Sequence, residues 1–290
     1  MRKESGAVVR RIRLVVLAVV ALTLAQPVVA SPARADDSWH NFIQIWWDFE
    51  KVYADLPTIT DNGNVIVYEG KTGWEGQGLG PGPSVVLDAN ALVTPGDWDG
   101  NGSADWMFRS RDGGLYLRTG IGGNVSKQVG RGWDVMTALV SPGDWNGDGN
   151  PDVLARDAAG VLWMYRGDGT GGWLPGRLQV GWGWNIMTSI FSGHDFNEDG
   201  KPDILAADSN GSLWLYPGNG SGGWMGRIQV GSGWHKMDLI AAPGDFDYDG
   251  HGDVISRDIA GSMWIYPGNG AGGFTWTRRL LTIPTPAVFG

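Results

Sequence analysis

Along most of this chain, apolar residues come in short alternating runs broken by glycine, aspartate and asparagine. Val153-Leu154-Ala155-Arg156, Ile204-Leu205-Ala206-Ala207 and Val254-Ile255-Ser256-Arg257 are one such set. Each leads into a tight turn (Asp157-Ala158-Ala159-Gly160, Asp208-Ser209-Asn210-Gly211, Asp258-Ile259-Ala260-Gly261) and then a second run centred on Trp163, Trp214 or Trp264. Aspartate first and glycine fourth suit a type I turn with the glycine left-handed, so each pair of runs predicts a β-hairpin. A glycine-rich loop ending in Trp173, Trp224 or Phe274 precedes a third run, such as Arg177-Leu178-Gln179-Val180. A Gly-Trp turn at Trp133, Trp184 or Trp234 precedes a fourth, such as Met187-Thr188-Ser189-Ile190-Phe191. Four antiparallel strands per repeat predict the blade of a β-propeller.

The repeats are punctuated by a stretch whose polar residues fall in register. Asp144, Asn146, Asp148, Gly149 and Asp152 occupy positions 1, 3, 5, 6 and 9 of a short loop. Alternate side chains of such a loop turn oxygens inward, the carbonyl at position 7 adds another, and the glycine permits the bend, a donor set suited to a hard cation. Asparagine and aspartate also crowd ordinary turns, but this frame recurs. It returns as Asp97, Asp99, Asn101, Gly102 and Asp105, as Asp195, Asn197, Asp199, Gly200 and Asp203, and as Asp245, Asp247, Asp249, Gly250 and Asp253. The residues at position 7 are Ser103, Asn150, Lys201 and His251, which would contribute backbone carbonyls. Four complete frames predict about four Ca²⁺ per chain. Their first aspartates are 47, 51 and 50 residues apart, a period that signals a propeller or solenoid. One period upstream, Asp48 to Asp55 reads as a decayed frame without a metal, with Val52 where the fifth-position ligand belongs. The expectation is therefore an all-β propeller of about five four-stranded blades with calcium-binding loops between blades. Its repeats start near 48, 97, 144, 195 and 245. The segment Phe42–Trp46 is expected to complete the last blade and close the ring, hiding two sheet edges.

These loops, the glycine-rich loops and the roughly fifty-residue repeat resemble the FG-GAP/VCBS repeat family, related to the integrin α-subunit propeller. The resemblance spans about Asp48 to the C-terminus. It implies calcium structuring a propeller used in adhesion or ligand binding. Integrin propellers have seven blades and this chain accounts for five, so integrin ligand residues are not transferred. Some lectins with calcium-bearing or five-bladed, tryptophan-rich propellers offer an analogy of architecture only.

Composition adds an address and removes some partners. Residues 1–35 read as a secretory signal peptide: Arg10, Arg11 and Arg13 precede an apolar run from Leu14 to Leu24, and Ala33-Arg34-Ala35 is a cleavage site. Residues 36–290 form the expected propeller, secreted and, by expectation, monomeric. The apolar run is too short to span a membrane. Removing the segment, with six Lys/Arg and one Glu, takes the formal charge from −9 to −14. Four dications would offset over half of that. Such acidity argues against nucleic acid or an anionic membrane as partner. With no cysteine, stability falls to the core and the metal.

No G-x-S-x-G or H-E-x-x-H sequence is present, which argues against an enzyme. Gly167–Gly172 fits G-x-G-x-x-G, but the frame recurs at Gly218 and Gly268 with no helix to follow, so it is not read as a phosphate site. Seventeen tryptophans remain. Trp163, Trp214 and Trp264 are expected between blades, and Trp98, Trp145, Phe196 and Phe246 beneath the metal loops. Trp173, Trp224 and Phe274, with Trp74 upstream, sit in glycine-rich loops, where core packing and ligand stacking are both open. The leading functional expectation is a binding module for carbohydrate or a cell-surface ligand, with Trp173, Trp224 and Phe274 as the binding residues. An integrin-like protein-binding scaffold and a polysaccharide hydrolase or lyase are the alternatives.

Overall fold

The computed structural model describes residues 88–119, 126–247, 249–275 and 278–281, with strand backbone alone for segments between 28 and 86. Of the expected export signal only Val28–Val29 is described, as a short strand paired with Gln44–Asp48, and Trp74 lies outside the described residues. Four four-stranded antiparallel sheets follow one another. The first blade is Ala89–Gly96, Asp105–Ser110, Leu115–Thr119 and Ser126–Gly130. The second is Met136–Gly143, Asp152–Asp157, Leu162–Gly167 and Trp173–Gly181. The third is Met187–His194, Asp203–Asp208, Leu213–Tyr216 and Ile228–Gly231. The fourth is Met237–Gly244, Asp253–Asp258, Met263–Tyr266 and Arg279–Leu281. The leading strands of successive blades pack side by side, which makes the fold an all-β propeller. An upstream four-stranded sheet, Trp39–Asn41, Leu56–Thr60, Asn64–Gly70 and Leu79–Val86, precedes them.

Each blade begins one strand earlier than the sequence frame suggests. The acidic loops join the first and second strands of the same sheet (Gly143 pairs with Asp152 and Gly244 with Asp253) rather than lying between blades. The reason lies in the register: the position 9 aspartate opens the second strand and pairs with the residue that ends the first, so the loop between them closes an antiparallel pair within one sheet. Passage to the next sheet is the Gly-x-Gly-Trp turn and the 3-10 helix after it: Trp133–Val135, Trp184–Ile186 or Trp234–Lys236. The glycine before each helix has φ of 71°, 76° or 83°, a left-handed conformation that a side chain resists. The offset also corrects the expected ring closure. The fourth blade draws all four strands from its own repeat, and Gln44–Asp48 pairs with Lys51–Tyr53 instead.

Burial is continuous along the second strands and alternates along the third. Val153, Leu154 and Ala155 are fully buried, as are Ile204, Leu205 and Ala206, because second strands pack on both faces. Outermost strands are largely exposed. Trp98, Trp145 and Phe196 are among the largest fully buried side chains and plug the sheets beneath the acidic loops as expected.

Candidate functional site: the acidic loops and a notch between blades

In each acidic loop the position 1 carboxylate gathers backbone amides. Asp144 Oδ1 accepts from Gly147 N (2.7 Å) and Asp148 N (3.0 Å), and Oδ2 from Gly149 N (2.8 Å). Asp97 and Asp195 repeat the pattern with Asn101 and Gly102 and with Asp199 and Gly200. The position 9 carboxylate is buried and holds the loop from below. Asp105, Asp152 and Asp253 each accept from the two amides at positions 2 and 3, and Asp203 accepts from Asn197 N. Burial pushes Asp152, Asp203 and Asp253 up to about 7, with neighbouring carboxylates adding to the rise.

Residues of the first, second and fourth loops fit a hard cation on two observations, and the third shares their frame. Asp152 Oδ1 and Asp245 Oδ1 are buried with no hydrogen-bond partner, a costly state for a carboxylate unless a positive charge faces it. Carboxylate oxygens of Asp97, Asp99 and Asp105, and of Asp245, Asp247 and Asp253, lie within 4.8 Å of one another. The ligands would be Asp97, Asp99, Asn101 and Asp105; Asp144, Asn146, Asp148 and Asp152; Asp195, Asn197, Asp199 and Asp203; and Asp245, Asp247, Asp249 and Asp253. The fourth loop carries a rival cation, since Arg279 Nη1 lies 2.9 Å from Asp247 Oδ2. The His251 side chain links two loops: its Nδ1 lies 2.6 Å from Glu198 Oε1 in the third loop, which raises the imidazole pKa.

The glycine-rich loop of one blade docks on the acidic loop of the blade before it. Gly171 N donates to Trp98 O (3.2 Å) and Gly222 N to Trp145 O (3.0 Å). Within each glycine-rich loop, Asp168, Asn219 or Asn269 accepts two of the loop's own amides, so those amides are not free for a phosphate.

Trp173, Trp224 and Phe274 end these loops and are half-buried, each wedged among three rings. Trp173 meets Trp98 at 4.7 Å and Trp133 at 5.6 Å, Trp224 meets Trp184 at 5.2 Å, and Phe274 meets Phe196 at 5.5 Å. Their position is thus first a packing position between blades. Trp163, Trp214 and Trp264 are half-buried on the third strands of their blades, their indole N–H held by Asp157, Asp208 or Asp258 at 2.9 Å. Arg177, Arg227 and Arg278 stack over them at 3.9, 4.0 and 4.2 Å.

One blade interface departs from the repeat. Between the first and second blades, Trp173 Nε1 donates to Val129 O at 2.9 Å. Between the second and third, the plug Trp145 stands 6.5 Å from Trp224 instead of 4.7 Å, and among the described residues no hydrogen bond ties down the Trp224 indole N–H. Beside it opens a cavity of about 390 Å³, whose walls include Val180, Trp182, Ile186, Tyr216, Trp224 and Arg227. Trp182 is 82% exposed, far more than any other large apolar side chain near the cavity. The sequence reading missed it. The signal was there: equivalent positions between the two turn glycines hold Arg131, Trp182 and Ser232, so this tryptophan serves no repeated packing duty.

Residues 195–256, spanning the third acidic loop and the start of the fourth blade, match the FG-GAP-like repeat. The chain carries an FG-GAP-like repeat. No curated protein sequence matches it. Among solved structures it is similar to an Agrocybe aegerita lectin described as recognising non-reducing terminal N-acetylglucosamine (17% identity, 89% of this chain and 81% of that one, TM-score 0.49). It is also similar to the BP39L lectin of Burkholderia pseudomallei (14% identity, 88% and 84%, TM-score 0.48) and to AofleA of Arthrobotrys oligospora (12% identity, 89% and 87%, TM-score 0.49). Likeness at that level does not assign a ligand to this repeat protein. Among the described residues no helix is long and apolar enough to cross a membrane.

Proposed function

We propose that this FG-GAP-repeat protein is a secreted, calcium-stabilised propeller of five blades that binds carbohydrate in the notch between its second and third blades. The observation that carries the reading is the notch itself: an exposed Trp182 beside a cavity of about 390 Å³ that the packed Trp224 also lines. An aromatic face complements the apolar C–H face of a pyranose, and few convergent polar groups fix its orientation. Of the three aromatics expected to bind ligand, Trp224 keeps that role and shares it with Trp182. Trp173 and Phe274 stay with blade packing. Calcium in the acidic loops acts on the scaffold, because the glycine-rich loop that ends in Trp224 rests on Trp145 O of the loop Asp144–Asp152.

The test is a glycan array of the mature protein in calcium, followed by titration of the best ligand into Trp182→Ala. The reading predicts at least a tenfold loss of affinity with unchanged melting, stacking on an aromatic being worth about 1–3 kcal/mol in related settings. Unchanged affinity in Trp182→Ala would remove the notch as the binding site.

A further inference from the structure

The notch is built almost wholly of hydrogen-bond donors. Trp182, Trp184 and Trp224 each offer only an indole N–H, and Arg227 offers guanidinium N–H groups. Tyr216 is the one side-chain hydroxyl, and its oxygen already accepts from Arg227 Nη1 at 3.3 Å. Val180, Ile186, Met187 and two glycines complete the walls without a side-chain acceptor, and among the described residues no Asp, Glu, Asn or Gln lines the cavity. In a chain with 31 acidic residues against 22 basic ones, a lining with one cation and no carboxylate is a departure. A neutral sugar presents hydroxyls that both donate and accept, and such a site would leave the donated protons unmatched.

Arg227 is also held in place. Asp208 accepts the Trp214 indole N–H at 2.9 Å, and the Trp214 ring carries the guanidinium 4.0 Å above it. Tyr216 fixes one edge of the fork, and no ion pair occupies the rest among the described residues. Arg177 and Arg278 make the same contacts, to Trp163 and Tyr165 and to Trp264 and Tyr266. The stacked arginine is therefore part of the blade framework. At the notch the framework places it, pre-oriented, beside a cavity and an exposed indole.

Resting on the carbohydrate reading, we infer that the notch takes an acidic saccharide, its carboxylate or sulfate received by Arg227 while the ring stacks on Trp182. A planar guanidinium fork matches the two oxygens of a carboxylate, and charge-assisted bonds of this kind are about twice as strong as neutral ones. The indole N–H of Trp224 supplies a further donor to the same group.

Four probes separate the outcomes by titration calorimetry: methyl glucoside, methyl glucuronide, a sulfated glucose and N-acetylglucosamine. The inference expects the glucuronide or the sulfated sugar to bind about tenfold or more tightly than methyl glucoside, with a preference that shrinks as salt rises. Which of the two wins tells whether carboxylate or sulfate is the natural group. Arg227→Gln abolishes the preference and brings the acidic sugar to the neutral level. Arg227→Lys keeps part of it, and Arg177→Gln, at the equivalent position away from the cavity, leaves it intact. Melting curves of each variant report folding separately. Equal or tighter binding of methyl glucoside or N-acetylglucosamine, or a preference that survives Arg227→Gln, overturns the acidic class while leaving the sugar site standing. Binding of none of the four probes to the wild type, with none on a wider array, overturns the carbohydrate reading and this inference with it.

Discussion

At the residue scale, Trp98, Trp173 and Trp182 show how three tryptophans of one chain come to different duties. Trp98 is fully buried under an acidic loop, Trp173 is wedged between blades with its indole bound to Val129 O, and Trp182 stands in solvent. Trp173→Ala should therefore cost about 3 kcal/mol or more in stability. Trp182→Ala should stay within about 0.5 kcal/mol of wild type. Chemical denaturation of the two variants side by side measures both, and a large loss in Trp182→Ala would mean that the exposed ring is structural after all. The buried aspartates make a pH prediction. With Asp152, Asp203 and Asp253 held up to about 7 by burial, the folded chain binds protons more tightly than the unfolded chain, whose carboxylates titrate near 4. Their contribution is fully present below the unfolded pKa and is lost as pH rises through the folded value. In chelator, the melting temperature should therefore fall as pH goes from about 5 to about 8. In calcium that fall should vanish, because a dication favours the charged form. Parallel slopes in the two buffers would separate these aspartates from the metal.

At the element scale, the informative contact is between the glycine-rich loop of one blade and the acidic loop of the blade before it. Gly147 has φ of 79°, and a Cβ there would lie 2.6 Å from Gly220 O. Gly149 is equally left-handed at 91° but faces nothing within 4 Å. Both substitutions to alanine carry backbone strain of about 1–2 kcal/mol, and only Gly147→Ala also pushes the docked loops apart. Thermal melts should rank Gly147→Ala clearly below Gly149→Ala, and equal melting temperatures would mean that loop docking adds little. This same contact explains what was legible in the sequence. The strands were readable because alternation has period two and Asp-x-x-Gly marks their turns. The acidic frames were readable because five positions recur together. Which strand each loop joins was not, since a periodic sequence fixes the repeat but not where a sheet begins. Trp163↔Gln179 and Gly143↔Asp152 are pairings that only the register shows. Trp173 and Trp224 were indistinguishable for a related reason: a shared Gly-x-Gly-x-Gly-Gly-Trp pattern does not report a bond from one indole to a carbonyl 44 residues away.

At the scale of the whole molecule, a chain without cysteine has no disulfide to hold it, and on the proposal above much of its stability comes from four bound Ca²⁺. Each ion that binds only the folded state adds RT ln(1 + [L]/Kd), about 2.7 kcal/mol at a hundredfold excess over Kd. Metal analysis of chelator-washed, calcium-reloaded protein should return four ions per chain, and three in Asp152→Ala, with melting lowered by chelator. Two or fewer in the wild type would break the link between the repeated frames and the metal. The notch depends on this scaffold but is a separate matter, because its chemistry comes from Trp182, Trp224 and Arg227, none of which is a loop ligand.

The most direct test of the account follows the indole N–H resonances of tryptophan-labelled protein, assigned by single substitutions, as methyl glucuronide is added. Shifts should concentrate on Trp182 and Trp224 and leave Trp133, Trp173 and Trp234 in place, with Arg227→Gln suppressing them. Shifts centred on Trp173 or Trp234, or none at Trp182 while the array reports binding, would contradict the placement of the site.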